Sequence, residues 1–366
     1  MTDSPDKRLD MNAPLTMPQR PDVATAPSHQ PLPTPGELKQ RLPLEGALEK
    51  QIERQRGEIQ AILDGRDDRL LVVVGPCSIH DPRAALEYAE KLSELAARLD
   101  DRLLMVMRVY VEKPRTTVGW KGLAYDPHLD GSDDMAHGLE VSRRLMRDIA
   151  ALGMPVATEL LQPMAAPYLE DLLSWVAIGA RTTESQIHRE LASGLHAAVG
   201  FKNGTDGSVD VAVAAMQSAA HPHRHFALDD AGRPAMRETD GNPHTHVVLR
   251  GGHGKPNYDA DSVRACRREL QNAGIAPRLM VDCSHANSRK DHRRQTEVML
   301  DVLEQRLAGD RDLVGVMLES HLHEGKQPLQ PGAMRYGVSV TDACLGWETT
   351  EHLLALAAER LRDARA

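Results

Sequence analysis

The chain has 366 residues, 41% of them hydrophobic, and carries a formal net charge of −9 with a pI near 6.0. These values describe a globular protein able to bury a sizeable core, and the acidic balance argues against a general nucleic-acid or anionic-membrane binder, since either needs a positive surface field. Only 3% of the residues are aromatic, so the core must be made of Leu, Val, Ala and Met, which suits packed helices and parallel strands.

No apolar run approaches the length of a membrane span. Cys77, Cys266, Cys283 and Cys344 follow no disulfide-like spacing, and the opening MTDSPDKRLDMNAPLTMPQR holds no apolar signal core. The expectation is a cytoplasmic protein with reduced thiols.

Residues 1–35 are rich in Pro, Asp, Ser and Thr with no hydrophobic period, and read as a flexible or docking arm. LEGALEKQIERQRGEIQAILDG then reads as an amphipathic helix with Leu48, Ile52, Ile59 and Ile62 on one face and Gly65 as its stop. From there eight short apolar runs alternate with helical segments: Leu70–Ser78, Leu103–Lys113, Pro155–Leu160, Trp175–Ala180, Ala198–Gly204, His246–Gly252, Leu279–His285 and Val314–His321. The last is followed by a helix that Thr341 or Asp342 is expected to cap. Eight doubly buried strands alternating with helices predict an α/β protein, a (β/α)8 barrel over residues 36–366. An open doubly wound sheet is the rival, but it expects a glycine-rich phosphate loop after its first strand, where this chain has GPCSIHD. A small β-hairpin is expected at about 221–245, before the sixth strand, from the turn signals Ala231-Gly232 and Asp240-Gly241; His221, His223 and His225 within it read as surface residues.

In a barrel the active site is built at the C-terminal ends of the strands, and the chemically distinctive residues of this chain fall there. Cys77 ends the first strand; Arg108 and Lys113 end the second, with Arg115 and Thr116 in its loop; Glu159 ends the third. Arg181 follows the fourth, Lys202 ends the fifth, Arg250 the sixth, His285 the seventh and Glu319 the eighth, with Asp342 beyond. Six converging cations (Arg108, Lys113, Arg115, Arg181, Lys202 and Arg250) would repel one another unless a polyanionic small molecule sits among them. Cys77, His285, Glu319 and Asp342 mix thiolate, imidazole and carboxylate, a set that fits Mn, Fe, Co or Zn better than Mg or Ca. Taken singly, each has a plainer reading: an arginine near a strand end is usually solvated or ion-paired, and a buried cysteine is usually inert, as Cys283 and Cys344 are expected to be. His285 also reads as a satisfied structural histidine, but Asp282, Ser284 and Asn287 nearby offer partners that would orient a metal-bound ring.

The segments GPCSIHD, EKPRTTVGWKG, GARTTESQ, GFKNGTDG, LRGG, SHANS, ESHL and SVTDACLGWE together resemble the type I 3-deoxy-D-arabino-heptulosonate-7-phosphate (DAHP) synthases, over about Leu42 to near the C-terminus. The resemblance implies a metal-dependent condensation of phosphoenolpyruvate with erythrose 4-phosphate that opens the shikimate pathway to aromatic amino acids. It implies Cys77, His285, Glu319 and Asp342 as metal ligands. Arg108, Lys113, Glu159, Ala180, Arg181, Lys202 and Arg250 match the phosphoenolpyruvate site, and Arg115 and Thr116 the contact to the sugar phosphate. Lys113 is expected to protonate the new alkoxide, with a pKa lowered by neighbouring cations, and either Glu159 or His285 to activate water. Two rival activities stand beside this one. The related 3-deoxy-D-manno-octulosonate-8-phosphate synthases resemble KANRSS where this chain has KPRT, and a catalytically silent amino-acid-binding paralogue is disfavoured by the filled catalytic positions. The resemblance further implies a homo-oligomer, dimer or tetramer, and inhibition by Phe, Tyr or Trp near the arm, the hairpin and LASGL. His196 follows LASGL where family members often carry a small residue, which leaves the effector open.

Overall fold

The computed structural model describes residues 29–364. Residues 1–28, most of the arm expected at 1–35, lie outside the described residues. Thr34 opens a short helix, α1 (Pro35–Arg41): its hydroxyl accepts from the Glu37 amide while the Glu37 carboxylate accepts from the Thr34 amide, and Pro35 supplies a preset first turn. The amphipathic helix follows as α2 (Gly46–Leu63).

Eight parallel strands then close into a barrel: β1 (Leu70–Gly75), β2 (Leu103–Arg108), β3 (Val156–Glu159), β4 (Trp175–Ile178), β5 (Ala198–Lys202), β8 (Thr245–Leu249), β9 (Leu279–Asp282) and β10 (Leu313–Glu319), in the circular order β1-β10-β9-β8-β5-β4-β3-β2. Each overlaps one of the eight apolar runs, but β1 and β2 stop at Gly75 and Arg108, so Cys77 and Lys113, expected to end these strands, lie in the loops that follow. The two remaining strands, β6 (His223–Leu228) and β7 (Pro234–Thr239), form an antiparallel hairpin outside the barrel, shorter than the 221–245 expected. Of its histidines, His221 is exposed, whereas His223 and His225 are half-buried and His223 Nε2 lies 2.8 Å from the Ser218 carbonyl. Among the described residues no helix is long and apolar enough to cross a membrane.

The period of two along each strand divides the core into two shells. Leu70, Val72 and Val74 of β1, Met105 and Met107 of β2, and Val281 of β9 face the surrounding helices, including α3 (Pro82–Leu99), α4 (Met135–Ala151) and α9 (Gln295–Leu307). Leu71, Val73, Val106, Ala157, Ala177, Val248, Met280 and Met317 face inward. Ile59, Ile62 and Leu63 of α2 belong to this inner cluster, so α2 plugs the N-terminal mouth of the barrel. Gly200 is an inward position beside Trp175: a Cβ there would lie 2.4 Å from Cζ2 of the indole, so only glycine leaves room for this ring inside.

The helix after β10 differs from expectation. It begins at Trp347, as α10 (Trp347–Asp363), with Gly346 as its N-cap and no side-chain cap. Thr341 and Asp342 do not cap it because the intervening segment is bonded elsewhere: the Cys344 amide donates to the Gly325 carbonyl and the Leu345 amide to Glu319. Asp342 is thereby kept in a loop over the barrel mouth.

Candidate functional site

With the N-terminal mouth plugged, the inward parity of each strand carries straight on to its C-terminal end. Leu104, Val106 and Arg108 share one face of β2, as do Ala157 and Glu159 of β3, Ala198 and Lys202 of β5, Met280 and Asp282 of β9, and Met317 and Glu319 of β10. The apolar interior therefore ends in a ring of charge. Above it opens a cavity of about 660 Å³, and Cys77, Arg108, Lys113, Arg115, Thr116, Glu159, Ala180, Arg181, Lys202, Arg250, His285, Glu319 and Asp342 all line it.

The cations fall into two sets. Arg108 donates to Glu319 Oε1 at 3.1 Å, Lys113 to Asp342 Oδ2 at 3.0 Å and Lys202 to Asp282 Oδ2 at 2.8 Å. Mutual repulsion within the ring is thus offset by built-in carboxylates, which the sequence argument for a bound polyanion had left out. Arg115, Arg181 and Arg250 turn to neutral oxygens instead: the Trp120 carbonyl at 2.7 Å, the Thr116 hydroxyl at 3.2 Å and the Gly251 carbonyl at 3.5 Å. Their charge is available to an incoming anion. Burial pulls the pKa of Arg108 down, but Tyr110, whose ring lies 4.0 Å below the guanidinium, together with Glu319 and Cys77 reverses this and leaves the net shift upward.

The Cys77 sulfur, Glu319 and Asp342 bring one donor atom each to within 4.8 Å of one another. Thiol and carboxylate together fit a divalent transition metal. His285, expected as the fourth ligand, lines the same cavity but stands outside this tight group; its Nδ1 faces Asp282 Oδ2 at 2.9 Å without a hydrogen bond, and Nε2 is the ring nitrogen on the side away from Asp282. The backbone at His285 is left-handed, with φ of +55°, a conformation uncommon outside glycine and frequent at functional sites. Burial, with Glu319 and Asp342 adding to it, pushes the Cys77 thiol up to about 11.

Lys113 corrects a sequence expectation. Its pKa is raised, not lowered, because the groups that face it are Cys77, Asp342 and Glu319, and these outweigh the downward push of burial. Its ammonium also lies 2.9 Å from the Cys77 sulfur.

A family model described as the DAHP synthetase I family matches residues 48–355. The chain belongs to this family. Among relatives of the DAHP synthetase I family, it is 57% identical over 327 residues to "Phospho-2-dehydro-3-deoxyheptonate aldolase, Tyr-sensitive" of Salmonella typhimurium (strain LT2), covering 89% of this chain and 92% of that one. It is 51% identical to the Trp-sensitive aldolase of Enterobacter agglomerans, over 89% of this chain and 94% of that one. A solved phospho-2-dehydro-3-deoxyheptonate aldolase from Francisella tularensis SCHU S4 superposes with a TM-score of 0.91 at 45% identity, covering 93% of this chain and all of that one.

Several cavity residues of this DAHP synthetase I chain were not singled out from sequence. Tyr110 continues β2 past its end, and the alternation through Arg108 was the signal for it. Lys290 and Lys326 add two further cations, each in a loop with no periodic signal. Ser284, named only as a neighbour of His285, donates to Glu319 Oε2 at 3.0 Å.

Proposed function

We propose that the chain condenses phosphoenolpyruvate with erythrose 4-phosphate to give DAHP and inorganic phosphate, the DAHP synthase reaction at the start of the shikimate pathway. The observation that carries this reading is the meeting, in one cavity of about 660 Å³, of a thiol–carboxylate donor group with six cations from strand ends and the loops that follow them. Two phosphates and a carboxylate call for that many cations, and no fewer than three of these have neutral partners only.

Cys77, His285, Glu319 and Asp342 would hold a divalent metal, Mn, Fe, Co or Zn, which when bound supplies Lewis-acid polarisation of the aldehyde. Arg108, Lys113, Arg181, Lys202 and Arg250 would hold the carboxylate and phosphate of phosphoenolpyruvate, with the Ala180 and Glu159 positions shaping the floor. Arg115 and Thr116 would take the sugar phosphate. C3 of phosphoenolpyruvate bonds to the aldehyde carbon, whose oxygen accepts a proton; water adds at C2 and phosphate then leaves with C–O cleavage. Lys113, held protonated by its anionic neighbours, is the proton donor in this reading. Glu159 takes the proton from water in this reading, since His285, also expected for that role, is assigned to the metal through Nε2 and has Nδ1 facing Asp282.

Regulation by an aromatic amino acid is part of the proposal. Relatives are named Tyr-sensitive and Trp-sensitive, and a second cavity of about 300 Å³ is lined by Leu195 of the LASGL segment, His196 after it, Arg237 of the hairpin and Arg56 of α2. His196 is exposed at that cavity. A cytoplasmic, homo-oligomeric enzyme completes the reading; all four cysteines are unpaired and buried, in keeping with a reducing compartment.

The test is phosphate release from the two substrates, with EDTA, with Mn restored, and with Phe, Tyr and Trp supplied in turn. Activity that falls on chelation and returns with metal supports the reading, and the inhibiting amino acid identifies the effector. Arabinose 5-phosphate as the better acceptor would favour the octulosonate synthase instead, and inertness with every metal would overturn catalysis altogether.

A further inference from the structure

One oxygen atom serves two of the proposed subsites. Asp282 Oδ2 accepts from Lys202 Nζ at 2.8 Å and lies 2.9 Å from His285 Nδ1, while Oδ1 accepts from the Ser284 amide at 3.0 Å. Asp282 is fully buried, and neither of its oxygens reaches the cavity lining. Lys202 and His285 do, and they belong to different proposed subsites, one for the phosphoenolpyruvate anion and one for the metal. We propose that Asp282 is a positioning residue that couples these subsites, so that phosphoenolpyruvate and metal each bind more tightly when the other is present. This rests on the functional reading above.

The physical argument follows from charge shared at a single atom. With neither ligand bound, the Lys202 ammonium holds Oδ2 at 2.8 Å, while His285 Nδ1, 2.9 Å from the same oxygen, makes no hydrogen bond. An anion drawn to Lys202 takes part of its charge, so the carboxylate turns more fully to His285 Nδ1–H. A ring whose proton is held by a carboxylate at Nδ1 has the correct tautomer and a more basic Nε2, and is the better metal ligand. In the other direction, a cation at Nε2 makes Nδ1–H a stronger donor and draws the carboxylate from Lys202, which frees that ammonium for the anion. By linkage the two effects must be equal in size. The left-handed turn at His285 brings the ring back over Asp282, three residues earlier, and Thr183, whose hydroxyl donates to the Lys202 carbonyl at 2.9 Å, fixes the other arm.

The experiment is a titration of the full-length protein with Co²⁺, followed by its thiolate and ligand-field absorption, with and without saturating phosphoenolpyruvate. In the wild type phosphoenolpyruvate should tighten Co²⁺ binding by about tenfold, within the usual range for coupled sites. Direct attraction between a bound dication and the anion contributes to that factor in every variant, so the decisive quantity is its change. Asp282→Asn, which keeps the shape and removes the charge, should lower the factor to about threefold or less. Lys202→Met cuts the same link from the other side and should lower it likewise at saturating phosphoenolpyruvate; it also decides the matter should the first variant fail to fold. Wild-type factors retained in both variants, or independent binding of the two ligands to the wild type, would overturn the coupling alone. A wild type that binds neither Co²⁺ nor phosphoenolpyruvate would overturn the functional reading and the coupling together.

Discussion

Lys113 Nζ lies 2.9 Å from the Cys77 sulfur, and its second partner is Asp342 at 3.0 Å. The side chain proposed to deliver a proton is thus held by two of the side chains proposed to hold the metal. Its position is set by the group it must act beside.

Lys113→Ala removes the proton donor and one cation but leaves every donor atom of the metal group in place. The expected outcome is a fall in kcat of about 100-fold or more, with metal content unchanged or higher because a competing ammonium has gone. Metal analysis alongside steady-state phosphate release checks both. Lost metal with intact turnover would show that Lys113 serves the site as a strut.

Cys77→Ser exchanges a soft donor of the proposed metal group for a hard one at the same place. Affinity for Zn or Co should fall by about 10- to 100-fold or more, the cost usual for a mere supporting partner, and Mg should be little affected. Equilibrium dialysis against each metal distinguishes this from a general collapse of the pocket.

Gly179 follows β4, and a Cβ there would lie 2.1 Å from Glu159 Oε1. Glu159 would have to move, since it is the far end of a side chain and the strand behind it is fixed. Gly179→Ala should therefore lower kcat/KM for phosphoenolpyruvate by about 100-fold, the scale of an ångström-sized misplacement, with little change in Tm. A large loss of Tm would mean that the backbone yielded instead.

Glu112, in the loop that carries Lys113 and Arg115, is buried and accepts from the amides of Leu161 and Gln162. Burial pushes its pKa up from 4.5 to about 7, with Glu159 adding to the shift and the two amides opposing it. The folded protein therefore binds this proton more tightly than the unfolded chain does. Its contribution to stability is complete below pH 4.5 and is lost as pH rises through about 7. The shift corresponds to about 3 kcal/mol. Glu112→Gln should flatten the fall in Tm between pH 5 and pH 8 attributable to this group, measured by thermal unfolding at the two values. An unaltered slope would place the lost proton elsewhere.

The barrel was legible because parallel strands covered on both faces must be apolar without interruption, and because charge then has nowhere to go but their ends. Arg108, Glu159, Lys202, Arg250 and Glu319 could be placed from that alone. The Lys202–Asp282 pair could not, since 80 residues separate the two and Asp282 looks locally like a partner for His285 only. The pKa of Lys113 was misjudged for a related reason: the groups that raise it, Cys77, Asp342 and Glu319, are remote from it in sequence. The start of α10 was misplaced because Thr341 and Asp342 have the side chains of a cap, and only the bonds from Cys344 and Leu345 to Gly325 and Glu319 show that the loop is tied down elsewhere.

The pairing of β1 with β10 joins Gly75 to Glu319, and the sulfur of Cys77 meets Asp342 across 265 residues of chain. A polypeptide emerging from the ribosome owns no complete donor group until β10 has been made and the loop that carries Asp342 has followed it. The metal proposed for this group is expected to bind only after the seam between β1 and β10 has closed. Fragments that stop short of Asp342 should be unable to sequester it.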